Sequence, residues 1–298
     1  MRGQPETQNE KLLRTAQDVF FAPAIEAGEL AFMSKCFIQA TLPHSDPGNV
    51  PIWGRKNGDY TLTIQPHFTL YDDGQPHNIG LPYGTIPRLI LAWANGEVVK
   101  TKSRELILGK SLSDFMDKIG FGGVTGGKNG SITRLKNQSM RLFSSKLSLS
   151  YQGPNKLSIA SALLADYAEY FWDPLHPGQQ SLWDSHVMLS ESFYQLLLSS
   201  PVPLDWRILR SLKRSPLALD LYMWLSYRMF NLSKPQTIRW ETLSKQFGSE
   251  YKRVVDFRAN VRKHIFKIQS VWQDLKLDIS KDDAITLYPS RLLINAKN

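Results

Sequence analysis

The sequence lacks the features of secreted, membrane-spanning and zinc-binding proteins. Its 298 residues include one cysteine, Cys36, which excludes an internal disulfide and a zinc site built on cysteines. Every window of about 20 residues contains polar or charged side chains, so no transmembrane helix is predicted. The first residues are polar and of mixed charge, unlike a secretory signal. We therefore expect a cytoplasmic protein with no membrane partner.

Catalytic and cofactor-binding patterns are also scarce. The six histidines show no H-x-H or H-x-x-x-H spacing, so no metal site is predicted. Residues 122–128 match the phosphate-binding pattern G-x-x-x-x-G-K, but Asn129 replaces the Ser or Thr that would hold magnesium. The segment also follows a predicted helix instead of a strand, and we interpret it as a turn. We expect no catalytic residue, no metal and no cofactor, and hence a binding protein instead of an enzyme.

Acidic side chains are missing from one long stretch, since none occurs between Gly122 and Ser150. Residues 100–149 contain 10 basic and 3 acidic side chains, and residues 201–298 contain 18 and 9. The other segments are acidic, and the whole chain has a net charge of +9. Two basic blocks separated by acidic segments indicate two surfaces for a polyanion, because clustered cations neutralise phosphates. The alternative is that the charged runs only form a solvated surface.

The order of predicted elements occurs twice. After a predicted helix at Glu10–Phe21, the first series comprises helix 86–93, strand 103–108, helix 112–119, helix 131–143 and hairpin 147–163. The second series comprises helix 216–230, strand 237–240, helix 241–247, helix 250–272 and hairpin 275–288. Helix, strand, helix, helix and hairpin in this order are typical of winged helix-turn-helix domains.

The predicted fold class is therefore α+β, mainly helical, with two tandem winged helix-turn-helix domains. At about 150 residues per domain, the length is compatible with two domains. The predicted division is an N-terminal segment at 1–58, an N-terminal winged-helix domain at 59–200 and a C-terminal winged-helix domain at 201–298.

Helix 250–272 carries the clearest signal of nucleic-acid binding. Its apolar residues recur at spacings of three and four and form one face. Arg and Asn match the edges of guanine and adenine in the major groove, and Lys binds phosphates as a point charge. We predict that the helix binds DNA through Lys252, Arg253, Arg258, Asn260, Arg262, Lys263 and Lys267. The alternative is an amphipathic helix with a solvated basic face.

Helix 131–143 is the second predicted DNA contact. Ile132, Leu135 and Leu142 follow helical spacing and predict its buried face. We place polar side chains on the opposite face and predict DNA contacts by Ser131, Arg134, Gln138 and Arg141.

Four segments resemble the plasmid-encoded RepA replication initiators: GLPYGTIPR at 80–88, RLKNQSMRLF at 134–143, LDLYMWLSYR at 219–228 and WETLSKQFG at 240–248. The resemblance covers about residues 30–298. It implies two winged-helix domains, of which the C-terminal one makes the main specific contacts with repeated origin sequences (iterons). It also implies that the N-terminal domain serves dimer formation and, in the monomer, adds DNA contacts.

The resemblance further implies what the protein does with DNA. Monomers would start plasmid replication and recruit the host replication initiator and the replicative helicase, whereas dimers would repress or couple origins. We therefore expect a non-enzymatic initiator that also pairs with itself. One alternative is a winged-helix transcriptional repressor with no role in replication, although two DNA-binding halves favour an initiator. Another is an enzyme that nicks or unwinds DNA, against which the missing metal ligands argue.

Overall fold

The structure, a computed structural model, describes residues 7–70, 72, 74–121, 125, 130–170, 185–248 and 251–294. The chain is divided into two compact units. The central unit is Phe32–Pro201, and the discontinuous unit combines Met1–Ala31 with Val202–Asn298. The predicted segment 1–58 therefore falls in both units. The second division follows residue 201, beside the predicted boundary after residue 200.

The helices of the described residues are α1 (Gln8–Phe21), α2 (Lys35–Gln39), α3 (Thr85–Thr101), α4 (Leu112–Lys118), α5 (Ser131–Phe143), α6 (Glu191–Ser199), α7 (Trp206–Leu212), α8 (Pro216–Asn231), α9 (Trp240–Phe247) and α10 (Val254–Val271). Several of them begin at a serine. The side chains of Ser111, Ser190 and Ser215 each accept a hydrogen bond from a backbone N–H in the first turn of α4, α6 and α8. These bonds satisfy donors that have no partner within the helix.

The strands are β1 (Leu30–Ser34), β2 (Trp53–Asn57), β3 (Tyr60–Gln65), β4 (Phe68–Leu70), β5 (Pro76–Asn78), β6 (Glu105–Gly109), β7 (Lys146–Gly153), β8 (Lys156–Leu163), β9 (Ala165–Glu169), β10 (Ser185–Leu189), β11 (Pro201–Asp205), β12 (Gln236–Arg239), β13 (Leu277–Asp278) and β14 (Ala284–Leu287). They form several small sheets, so the chain is a mixed α/β protein. The chain passes from one unit to the other within β1 and β11.

The central unit contains two larger antiparallel sheets, with strand orders β2-β3-β7-β8 and β6-β10-β9. The predicted hairpin at 147–163 is confirmed as β7–β8. Its neighbour is β3, however, and not β6, the strand of the first predicted series. Buried Leu62 and Ile64 of β3 lie opposite Leu149 and Leu147, and these apolar pairs fix the register of the two strands.

The discontinuous unit has a core built on α8, α9 and α10, with one antiparallel sheet in the order β12-β14-β13. Phe257, Val261 and Ile265 of α10 are buried there, as the periodicity predicts. Gly248 ends α9 where the ring of Phe257 approaches the backbone. A Cβ atom at this position would lie 2.7 Å from the ring, so a larger residue would require the ring or the backbone to move.

The predicted start of the last helix at Glu250 is wrong, because α10 begins at Val254. Residues 251–253 are not helical, and Arg253 adopts an extended conformation (φ −127°, ψ 136°) at the N-cap position. Lys252 and Arg253 therefore precede the helix instead of lying on its face.

The first helix of the chain packs within the discontinuous unit. Leu12, Thr15 and Ala16 of α1 are buried, and the helix contacts α7 and α10. Arg207 of α7 donates to the carbonyl oxygens of Asp18 (2.6 Å) and Ala22 (2.9 Å) at the end of α1. The helix itself is confirmed, but its packing partners lie about 190 residues away in sequence for α7 and further still for α10.

Candidate nucleic-acid interface

The exposed side of α10 carries three of the predicted DNA contacts. Lys263 is exposed, and Asn260 and Lys267 are half-buried on the side opposite Val261. The side-chain amide of Asn260 donates to the carbonyl oxygen of Asp256 at 3.0 Å, a bond that uses one of its two N–H groups and not its side-chain oxygen. These side chains together present two cations and an amide.

Arg253 lies just before α10 and is paired with a carboxylate. Its guanidinium donates two hydrogen bonds to Asp256, at 2.8 and 2.7 Å. These bonds lower the pKa of the Asp256 carboxyl and raise the pKa of Arg253. Both side chains are exposed, and so is Lys252 beside them. A phosphate that approached Arg253 would compete with the carboxylate of Asp256 for the same donors.

Two predicted contacts, Arg258 and Arg262, hold the turn that joins β13 to β14. Arg262 donates to the carbonyl oxygens of Ile279 (2.8 Å), Ser280 (3.1 Å) and Lys281 (2.9 Å). Arg258 forms an ion pair with Asp282 at 3.0 Å. Their guanidinium groups are thus occupied inside the unit, and they position the turn beside α10. Their part in DNA binding stays a prediction.

This turn places a further cation that the sequence prediction omitted. Lys281 is exposed, and its backbone carbonyl accepts hydrogen bonds from Arg262 and from the indole N–H of Trp240 (3.2 Å). We call Asn260, Lys263, Lys267 and Lys281 the α10 surface. The signal for Lys281 in the sequence was weak, because a single lysine in a predicted hairpin turn is ordinary.

On α5, the predicted exposed face is wrong at two positions. Ser131 and Gln138 are buried. The Gln138 side-chain oxygen accepts a hydrogen bond from the Tyr83 backbone N–H at 2.8 Å, and Ser131 exchanges hydrogen bonds with Thr125. At 100° per residue, both positions lie within about 60° of Leu135, so the helical period itself places them in the buried arc.

Arg134 is exposed on α5 as predicted, together with Lys136 and Asn137, which were not among the predicted contacts. We call Arg134, Lys136 and Asn137 the α5 surface. Lys136 lies about 100° from Leu135, on the side away from Arg134, and a full helical projection would have included it.

Arg141 is largely engaged within the central unit. It pairs with Asp46 at 3.3 Å, and its guanidinium carbon lies 5.4 Å from the centre of the Tyr83 ring. Gly80, with φ +90°, allows this approach, since a Cβ there would lie 2.6 Å from the guanidinium. Two of the sequence segments noted above, 80–88 and 134–143, therefore meet in the fold.

This leaves the predictions about metal ligands, membrane-spanning helices and the glycine-rich turn. No group of three or more His, Cys, Asp or Glu side chains arranged to hold a metal occurs among the described residues. None of the described helices is long and apolar enough to cross a membrane. Residues 122–124 and 126–129 of the glycine-rich turn lie outside the described residues.

Comparison with known proteins finds one family. Residues 81–242, just over half of the chain, match the family described as plasmid-encoded RepA protein. No curated protein matches the chain. Among solved structures, domains 2 and 3 of RctB, crystallised as selenomethionine derivatives, are similar to it, with 10% sequence identity and a TM-score of 0.49. That similarity covers 84% of this chain and 94% of that one.

Proposed function

We propose that this chain, which belongs to the family of plasmid-encoded RepA proteins, initiates plasmid replication by binding repeated sequences of the origin as a monomer. The observation that carries the proposal is the α10 surface, whose cations lie away from the buried face formed by Phe257, Val261 and Ile265. Clustered lysines neutralise phosphates and supply much of the affinity for duplex DNA. The family match ends before α10, so the role of this helix is argued from its geometry.

We propose a winged-helix arrangement in both units. In the discontinuous unit, α8, β12, α9, α10, β13 and β14 follow one another, and the sheet has the order β12-β14-β13. In the central unit, α3, β6, α4, α5, β9 and β10 follow the same order, with the β7–β8 hairpin inserted, and the sheet has the order β6-β10-β9. In each sheet, the strand that comes last in sequence, β14 or β10, lies between the other two. This likeness supports α10 and α5 as corresponding helices.

At the DNA, the α10 surface would combine positioning with reading. Lys263, Lys267 and Lys281 would bind phosphates, and Asn260 would present its amide to a base edge, for which adenine is the matching partner. Arg258 and Arg262 would act through the β13–β14 turn that they hold. The α5 surface would make a second contact with the DNA.

The test compares two charge-removing variants of the full chain. Lys263→Ala/Lys267→Ala should weaken binding to duplex origin DNA and lower the magnitude of the salt slope by about two, at ~0.9 per lost phosphate contact. Lys56→Ala/Lys100→Ala removes the same charge at exposed positions of the central unit and should leave both quantities unchanged. Fluorescence anisotropy with a labelled duplex at several salt concentrations measures both. Equal behaviour of the two folded variants would refute the role of α10.

Self-association is proposed for the central unit. Strand β8 is at an edge of its sheet, and Leu157, Ile159 and Leu163 are exposed along it. An edge strand with alternating apolar side chains is suited to pairing with another strand. The occupant we propose is β8 of a second copy, in the dimers that the family resemblance associates with autorepression and copy control. Recruitment of the host replication initiator and replicative helicase is proposed from the same resemblance.

A transcriptional repressor without a replication role is the second candidate function. The proposal of two DNA-binding units in one chain favours initiation, since a simple repressor needs one per subunit. We also propose that the protein acts by binding and not by catalysis, with no cofactor. Purified protein should then neither hydrolyse ATP nor nick supercoiled DNA in the presence of magnesium or manganese, and either activity in the pure wild-type protein would contradict this.

A further inference from the structure

A cationic cleft lies between α1 and α7 in the discontinuous unit, separate from the α10 surface. Its volume is about 630 Å³, within the size range of small-ligand sites, ~300–1,000 Å³. Five cationic side chains line it, against the two carboxylates of Asp18 and Glu29. The cations are Lys11, Arg14, Arg207, Arg210 and Lys213.

Two of these cations have structural roles. Arg207 is held by the buried carboxylate of Asp205 at 2.6 Å, and it also binds the carbonyl oxygens at the end of α1. Arg210 pairs with Glu29 at 2.5 Å. Since five cations face the two carboxylates of Asp18 and Glu29, the lining carries a net excess of three positive charges whatever their internal partners, and Lys11, Arg14 and Lys213 contribute three of the five.

Lys213 shows that these charges are crowded. The side chain is half-buried where α7 ends, and its pKa is lowered by burial and by the charges of Lys11, Arg210 and Arg214. Cations that repel one another in a partly desolvated cleft are stabilised when an anion enters. The ligand of such a cleft is therefore expected to carry negative charge.

The cleft also has an exposed aromatic edge. Phe21 lines it with 80% of its surface exposed, and Phe20 is 73% exposed. The two rings are in edge-to-face contact, with centres 5.4 Å apart. Exposed aromatic rings beside a cationic groove are the arrangement by which proteins bind single strands, since unpaired bases stack on the rings while the cations follow the phosphates.

We propose that this cleft binds single-stranded nucleic acid, with phosphates at Lys11, Arg14 and Lys213 and a base stacked on Phe21. A duplex is a poorer fit, because its paired bases offer no face to Phe21. An acidic peptide would satisfy the cations but would leave the pair of phenylalanines unexplained. The binding itself does not depend on the proposed function; only its use, holding a strand of an opened origin, rests on it.

The experiment measures binding of the full chain to a fluorescein-labelled oligothymidine of 20 nucleotides by anisotropy at low salt. Lys11→Ala/Lys213→Ala should weaken binding at least about tenfold, and Phe21→Ala about fivefold or more, the effect of one lost stacking contact. Phe21→Trp should retain wild-type affinity because it keeps a stacking surface. Lys56→Ala/Lys100→Ala is the charge-matched control and should bind as the wild type does. Circular dichroism and thermal melting establish that each variant is folded.

A second arm uses duplex origin DNA. The cleft variants should bind duplex as the wild type does, whereas Lys263→Ala/Lys267→Ala should bind duplex more weakly and retain wild-type affinity for the oligothymidine. The two arms therefore distinguish a failure of the cleft proposal from a failure of duplex binding by the α10 surface. The cleft proposal is overturned if the wild type does not bind oligothymidine, or if the cleft and control variants bind it alike. It is also overturned if Phe21→Ala has no effect and inorganic polyphosphate competes as well as the oligonucleotide, which would indicate a general anion cleft.

Discussion

At the scale of single residues, side chains of similar sequence character have different tasks. Lys263 faces solvent, whereas Arg262 beside it donates to three carbonyl oxygens of the β13–β14 turn. Asn137 is exposed, whereas Gln138 beside it is buried against Tyr83. The helical period could have separated the second pair, because Gln138 falls in the apolar arc. It could not have separated the first, since the partners of Arg262 lie 17 to 19 residues further along the chain.

The contrast between Gln138 and Asn137 gives a stability prediction. Gln138→Ala removes the acceptor of the Tyr83 N–H in a partly buried position and should lower the free energy of unfolding by about 1–2 kcal/mol. Asn137→Ala, its exposed neighbour, should change it by less than about 0.5 kcal/mol and weaken DNA binding if the α5 surface contacts DNA. Urea denaturation of both variants measures the difference. Equal stabilities would show that the hydrogen bond contributes nothing.

At the scale of elements, local sequence patterns predicted most of the helices but few of the elements that each one packs against or pairs with. The bounds of α5 agree with the prediction, and those of α8 differ by one residue, because apolar spacing is a local signal. β2 is not among the predicted elements, since Trp53–Asn57 is an edge strand without regular alternation of apolar residues. The start of α10 was placed four residues early, because residues 250–253 contain nothing in the sequence that stops a helix.

The packing of α1 carries the prediction at this scale. Leu12 is 6% exposed and Leu13 is 66% exposed, so the two neighbouring leucines form a matched pair. Leu12→Ala should destabilise the discontinuous unit by about 2–5 kcal/mol through lost burial and the cavity it leaves. Leu13→Ala should have an effect below about 0.5 kcal/mol. Thermal or urea unfolding measures both, and a tolerated Leu12→Ala would mean that α1 is not part of this core.

At the scale of the whole molecule, the sequence predicted which segments are basic but not where each cation lies in the fold. The 18 cations of residues 201–298 include lysines on the α10 surface, arginines that hold a turn, and the cleft side chains of α7. The cleft was not predicted at all, because Lys11 and Lys213 are about 200 residues apart in sequence and meet only through the packing of α1 on α7. Pairings of this range are set by tertiary structure and leave no periodic trace.

The central claim, that the chain initiates replication by binding repeated origin sequences, is tested most directly by DNase I footprinting of the full chain on the DNA that flanks its gene. We expect a row of directly repeated protected segments, which Lys263→Ala/Lys267→Ala loses and Lys56→Ala/Lys100→Ala retains. A single protected inverted repeat would contradict the initiator and indicate a repressor. An absence of protection by the folded wild-type protein would contradict sequence-specific DNA binding altogether.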